Sequence, residues 1–191
     1  MLKDVYFVHI AKCAGTSVVD TFKIQKYPTG FCKGGRAYFL HKTPLDVRSF
    51  GLADWNWLQR SFKFTFIREP YERAASHYYW CKKHNKWNVG PTTTFLDYCN
   101  TSMRQFKHHG PQVRYFEGIS YDFVGRFENI DEDMKKLAEL LGEPETVASH
   151  LNKSNRPVSL SATYCKESKR IVEEFYREDF ERFGYEIKET L

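Results

Sequence analysis

The chain has 191 residues, of which 41% are hydrophobic and 17% aromatic, enough for one domain-sized apolar core. Its net charge of +5 is spread among interleaved acids, which argues against the dense basic stripe of a nucleic-acid protein and fits either a polyanionic small ligand or ordinary solubility charge. No apolar run approaches membrane-spanning length, and Cys13, Cys32, Cys81, Cys99 and Cys165 form no C-x-x-C pair, so reduced thiols are expected rather than a zinc site or a disulfide framework.

Val5-Tyr6-Phe7-Val8-His9-Ile10 is a β-branched and aromatic run that predicts a buried strand. The turn Ala11-Lys12-Cys13-Ala14-Gly15 follows, and Thr16 and Ser17 open a helix predicted over 16–26. A strand, a small-residue turn and a helix start form an anion site, because N–H groups point out of the helix end and the macrodipole adds to their pull. Lys12 brings a full charge, and Thr16 and Ser17 bring hydroxyl donors. A phosphate-bearing ligand is expected here; the competing reading is a plain helix cap. The turn is not a Walker A loop, because Lys12 precedes the single glycine instead of standing directly before the hydroxyl residue.

Residues 27–36 read as a loop, and Ala37–Leu40 as a short strand that ends at His41. Helices are predicted to start near Pro44 and Asp54. Phe62–Ile67 alternates as a strand, Arg68-Glu69 turns, and 70–84 reads as a helix with Pro70 at its first position. Arg68 thus stands at a strand's C-terminal end, with Ser76 two turns into the next helix. Ligands of open α/β sheets bind beyond the C-terminal ends of strands. Two basic, hydroxyl-bearing crevices suggest one ligand with two separated phosphates, and the planar arginine fork suits a terminal one. Further on, Thr92–Thr94 predict a cap for a helix to about Asn100, and Met103–Gly118 reads as irregular, basic and lid-like. Phe123–Gly125 reads as a short buried strand, and Asp131–Leu141 as an amphipathic helix stopped by Gly142 and Pro144. Residues 150–163 read as loop and Lys166–Phe183 as helix. Repeats and linkers are absent, so the pattern predicts a single α/β domain over 1–191, with a mainly parallel sheet between helices.

His9-Ile10-Ala11-Lys12-Cys13-Ala14-Gly15-Thr16-Ser17 resembles the 5′-phosphosulfate loop of sulfotransferases that use 3′-phosphoadenosine-5′-phosphosulfate (PAPS). Phe64–Tyr78, with Arg68-Glu69-Pro70 and Ser76, resembles their 3′-phosphate site. Asp122–Ile130, His150–Arg156 and Phe175–Tyr185 resemble later segments of the carbohydrate (glycan) sulfotransferases, so the likeness spans nearly the whole chain. Cys13-Ala14 departs from it, since relatives more often carry Thr-Gly or a similar small pair. The resemblance implies a P-loop-like three-layer sulfotransferase fold. It also implies sulfuryl transfer from PAPS to an acceptor hydroxyl, with a carbohydrate as the expected acceptor, adenosine 3′,5′-bisphosphate (PAP) as the product and no metal requirement.

On this likeness Lys12, Ala14, Gly15, Thr16, Ser17 and Val18 would hold the phosphosulfate, and Arg68 and Ser76 the 3′-phosphate. Arg126, Lys153, Ser154 and Arg156 would close over the nucleotide; an exposed basic loop is the competing reading of the last three. Lys12 would also stabilise the leaving oxygen. The acceptor needs a base, and His41 is the first choice: it sits at a strand end on the rim of Lys12, with a reference pKa near ~6.5. His9, His77 and Glu69 are the other candidates, with His9 expected as a satisfied core residue and His77 as locally bonded. Trp55, Trp57, Trp80 and Trp87 are read mostly as core, with room for a sugar-stacking platform among them. The acceptor is expected against 27–36 and 103–118. No nucleic-acid partner and no membrane segment are expected. Met1 runs almost directly into the first strand, so no signal peptide is expected and the placement is cytoplasmic as written, or the Golgi lumen if an anchor has been removed. Two other classes compete: a nucleotide phosphotransferase or kinase, which would need Mg²⁺ ligands and a Walker lysine, and a non-catalytic 3′,5′-bisphosphate or nucleic-acid binding module.

Overall fold

The structure is a computed structural model describing residues 3–27, 32–105, 109–144 and 159–191. The strands are β1 (Val5–Val8), β2 (Gln25–Lys26), β3 (Arg36–Tyr38), β4 (Phe62–Ile67) and β5 (Phe123–Arg126). The helices are α1 (Gly15–Phe22), α2 (Pro44–Ser49), α3 (Trp55–Arg60), α4 (Pro70–His84), α5 (Phe95–Asn100), α6 (Ser102–Gln105), α7 (Ile130–Leu141), α8 (Lys166–Phe175) and α9 (Arg177–Phe183). The chain divides into two compact units, Met1–Ile67 with Arg114–Asn152, and Arg68–Val113 with Lys153–Leu191.

The first unit is built on an all-parallel sheet in the order β2-β3-β1-β4-β5. Central β1 is at most 1% exposed, as a continuous apolar run requires when both faces are covered. Aromatic rings cross the strands on one register: Phe7 pairs with Tyr38 and Phe64, at centroid distances of 6.2 and 4.9 Å. Thr65, the polar residue inside β4, is buried and donates from Oγ1 to Val8 O at 2.7 Å. From β3 the chain crosses to the other side of β1 to enter β4, so the strand order reverses between β1 and β4, and both strands end at one edge. That reversal is where open α/β sheets form their ligand crevice.

Several predicted boundaries move for identifiable reasons. Helix α1 ends at Phe22, not near residue 26, because Lys23 turns left-handed (φ 50°) and Gln25–Lys26 pair with β3 instead. Strand β5, expected to be buried, is half exposed, with Val124 at 38%, because it lies at the sheet edge with β4 as its only strand neighbour. Helix α7 turns Met134, Leu137 and Leu141 fully inward and stops at left-handed Gly142 (φ 68°).

The second unit is helical. Tyr71, Tyr78, Tyr98, Met103, Val172, Tyr176 and Phe180 form its core. Helix α4 runs over the span read from the sequence, Pro70 at its start and left-handed Asn85 at its end. Thr94 caps α5 reciprocally with Asp97. The helix read as continuous over 166–183 breaks at Tyr176, whose buried hydroxyl donates to His109 O at 2.8 Å. Part of the stretch read as irregular over 103–118 is ordered as α6 and a 3₁₀ turn at Gln112–Phe116.

Candidate active site

After β1 the chain turns through two left-handed residues, Lys12 (φ 68°) and Ala14 (φ 62°), and enters α1 at Gly15. For a residue with a side chain this conformation costs roughly 1–2 kcal/mol. No side chain caps the N-terminus of α1. Thr16 is exposed, Lys12 half-buried and Ser17 buried. Val18 N–H donates to Ala14 O at 3.1 Å and its side chain lies in the core, so the anion contact expected of Val18 is already engaged in the helix. A Cβ on Gly15 would fall 1.8 Å from His9 Nε2, so the imidazole of His9 occupies the space beside the helix start.

His9 is 8% exposed, with its ring 5.4 Å from Phe7, 5.4 Å from Tyr38 and 4.7 Å from His41. Burial, and then the neighbouring His41, Lys26 and Lys12, push its pKa down to about 3, so it is neutral. Among the described residues its Nδ1 meets no hydrogen-bond partner. The expectation of a satisfied core histidine is therefore corrected: the ring is packed, but its nearest side-chain walls are aromatic.

His41 sits in a left-handed turn (φ 55°) after β3, half-buried. Its Nδ1 lies 3.3 Å from His9 O. A carbonyl can only accept, so Nδ1 carries a proton, and in the neutral ring Nε2 is the nitrogen with the lone pair. Tyr115 Oη–H donates to His41 O at 3.3 Å. Lys12 and His41, two segments apart in sequence, are thus gathered around His9. Arg126 ends β5 half-buried, with its N–H donated to Asp133 Oδ2 at 2.7 Å. Lys153, Ser154 and Arg156 lie outside the described residues.

In the second unit, Arg68 is 5% exposed and pairs with Glu72 at 3.0 Å. Glu69 caps α4, accepting from Glu72 N–H at 2.7 Å, and burial raises its pKa. Ser76 is buried on α4. His77 is held inside the core, with Nδ1 2.6 Å from Tyr98 Oη and Nε2 3.2 Å from Cys81 Sγ. Three buried polar residues that the sequence did not single out are Gln112, Asp179 and Arg73. Arg73 and Asp179 lie within the segments that carry the family likeness, but nothing local in the sequence gives any of the three a role, so only their contacts reveal them. Of the tryptophans, Trp57 is core, Trp55 is 47% exposed beneath the Arg48 guanidinium, and Trp80 and Trp87 are half-buried against each other. Among the described residues no three His, Cys, Asp or Glu side chains are grouped to hold a metal, and all five cysteines are free.

A helix start with no side-chain cap, on a parallel sheet and with a lysine and a histidine near it, has the chemistry that suits an anionic ligand. The chain belongs to the sulfotransferase family, whose model matches residues 3–186. An uncharacterized protein of Archaeoglobus fulgidus is 27% identical over 94 residues, 47% of this chain and 74% of that protein. The crystal structure of mouse sulfotransferase SULT7A1 complexed with PAP matches with a TM-score of 0.59 at 12% identity, covering 93% of this chain and 84% of that one. At that identity the likeness is one of fold, a central parallel sheet flanked by helices, as expected from the sequence.

Proposed function

We propose that this sulfotransferase moves a sulfuryl group from PAPS to an acceptor hydroxyl, with a carbohydrate as the acceptor. The observation that carries the reading is the clustering of Lys12, His41 and the uncapped start of α1 around one neutral histidine, His9. The fold neighbour complexed with PAP, the desulfated donor, supports the choice of nucleotide.

The transferred group is already activated, so the protein must align it and stabilise charge on the leaving oxygen. The N–H groups of Gly15–Ser17 and the hydroxyls of Thr16 and Ser17 hold the 5′-phosphosulfate. The Lys12 ammonium meets the bridging oxygen as the S–O bond to it breaks. His41 Nε2 takes the acceptor proton as the new S–O bond forms, and Nδ1–H on His9 O keeps the ring in that tautomer. PAP leaves with the bond electrons. Arg68 and Ser76 hold the 3′-phosphate, which replaces Glu72 as the partner of Arg68; Arg126, Lys153, Ser154 and Arg156 complete the nucleotide grip. The single-domain reading of 1–191 and the absence of a metal requirement belong to the same proposal.

His41→Ala is expected to lower turnover by roughly 10²–10⁴-fold while PAP affinity stays within about twofold. Labelled PAPS with a panel of glycan, tyrosine and small-molecule hydroxyls measures it. Undiminished turnover removes His41 as the base, and PAP binding with no turnover on any acceptor in the wild type favours the non-catalytic bisphosphate module.

A further inference from the structure

Arg68 is the first residue beyond β4 and is 5% exposed. Gln112, 0% exposed, bonds both backbone polar groups of Arg68 from one side chain. Its Oε1 accepts from Arg68 N–H at 2.9 Å, and its Nε2 donates to Arg68 O at 2.8 Å. We infer that Gln112, oriented by Asp179, is a positioning residue that fixes the peptide of Arg68 and thereby aims its guanidinium at the 3′-phosphate. The inference rests on the proposed role of Arg68.

Hydrogen-bond polarity sets the direction of the amide. A side-chain amide carries a donor and an acceptor on one rigid fork. Which way the fork points is decided by Asp179, a buried carboxylate that can only accept when ionised. Asp179 Oδ2 takes Gln112 N–H at 2.9 Å and Oδ1 takes Val113 N–H at 2.9 Å, which pins this backbone. Oδ2 also lies 3.3 Å from Gln112 Nε2. An amide oxygen facing Asp179 would be repelled, so Nε2 faces it and Oε1 is turned to Arg68 N–H. Burial raises the pKa of Asp179, and Arg73 and the N–H groups of Gln112 and Val113 act against that rise; Arg73 also donates to Gly110 O at 3.0 Å and lies over the Tyr176 ring at 5.4 Å. At the other end of Arg68, Glu72 holds the guanidinium at 3.0 Å. Arg68 is therefore restrained at both peptide and fork, and such restraint is what a bidentate phosphate ligand needs before binding.

The test compares affinity for PAP with affinity for adenosine 5′-monophosphate, which lacks the 3′-phosphate, by titration calorimetry. Arg68→Ala, Gln112→Met, Asp179→Asn and the double variant Arg68→Ala/Gln112→Met are measured beside the wild type. Gln112→Met keeps the length and removes both bonds; it is expected to weaken PAP by about tenfold, near the worth of one or two hydrogen bonds, and to leave the monophosphate unchanged. Asp179→Asn, which no longer dictates the amide direction, is expected to lower the same ratio by a smaller factor. In the double variant the ratio is expected to equal that of Arg68→Ala alone. A Gln112→Met protein that weakens both nucleotides equally, or neither, overturns the inference, as does a double variant whose losses multiply. Should Gln112→Met fail to fold, Asp179→Asn with an unchanged ratio is the overturning result. An unchanged ratio in Arg68→Ala overturns the 3′-phosphate reading itself, which is a separate failure.

Discussion

At Gly15 the missing side chain is set by a residue six positions earlier: the His9 imidazole lies where a Cβ would stand. Gly15→Ala is expected to cost about 1–3 kcal/mol in urea unfolding, and His9→Ala in the same background to recover part of it, because the two changes share one space. His9 also makes stability depend on pH. Its folded pKa, about 3, lies below its unfolded value near ~6.5, so the unfolded chain binds the proton first as pH falls. The stability it contributes is complete above pH ~6.5 and is lost toward pH 3, with a slope of up to about 1.4 kcal/mol per pH unit. His9→Asn is expected to flatten that part of the profile, measured by chemical denaturation from pH 7 to 4; an unaltered slope would place the titration elsewhere. The glycine was legible as a turn residue, and Lys12 and His41 as strand-end residues on one rim. The reason for the glycine was not legible, because it depends on where the His9 ring, just beyond β1, points.

Among the elements, β4 and α4 were readable to the residue. Alternating phenylalanines mark the strand, Pro70 sets the helix start, and a left-handed asparagine ends it. Strand β5 was read one residue short, and its burial was misjudged, because four residues carry no sign of being at a sheet edge. The β4–β5 approach is instead written in Gly125, where a Cβ would fall 2.3 Å from the Phe66 ring. Gly125→Ala is expected to destabilise the first unit by about 1–3 kcal/mol and to speed amide exchange in β5 ahead of β1. Equal exchange in both strands would count against a local role for that close approach. The end of α1 was overestimated for a similar reason: pairing of Gln25–Lys26 with β3 competes with helix, and that partner lies a dozen residues away.

For the whole molecule, ligand selectivity is the sharpest expectation. A ligand that binds only the native state raises its stability by about 2.7 kcal/mol at a hundred times its dissociation constant. PAP is therefore expected to raise the melting temperature in calorimetry, and ATP with Mg²⁺ to raise it less; the reverse order would support a phosphotransferase. The amino-acid sequence by itself determined the alternation of strands and helices, the lysine-bearing turn that leads into α1 and the arginine-bearing strand end at Arg68. These depend on periodicity, turn chemistry and charge, which are properties of neighbouring residues. Tertiary structure alone decided that His9 is neutral beneath Gly15, that His41 holds its proton on Nδ1, and that Gln112 and Asp179 secure the peptide of Arg68. Burial and hydrogen-bond partnership are relations between residues far apart in the chain, and no local pattern encodes them.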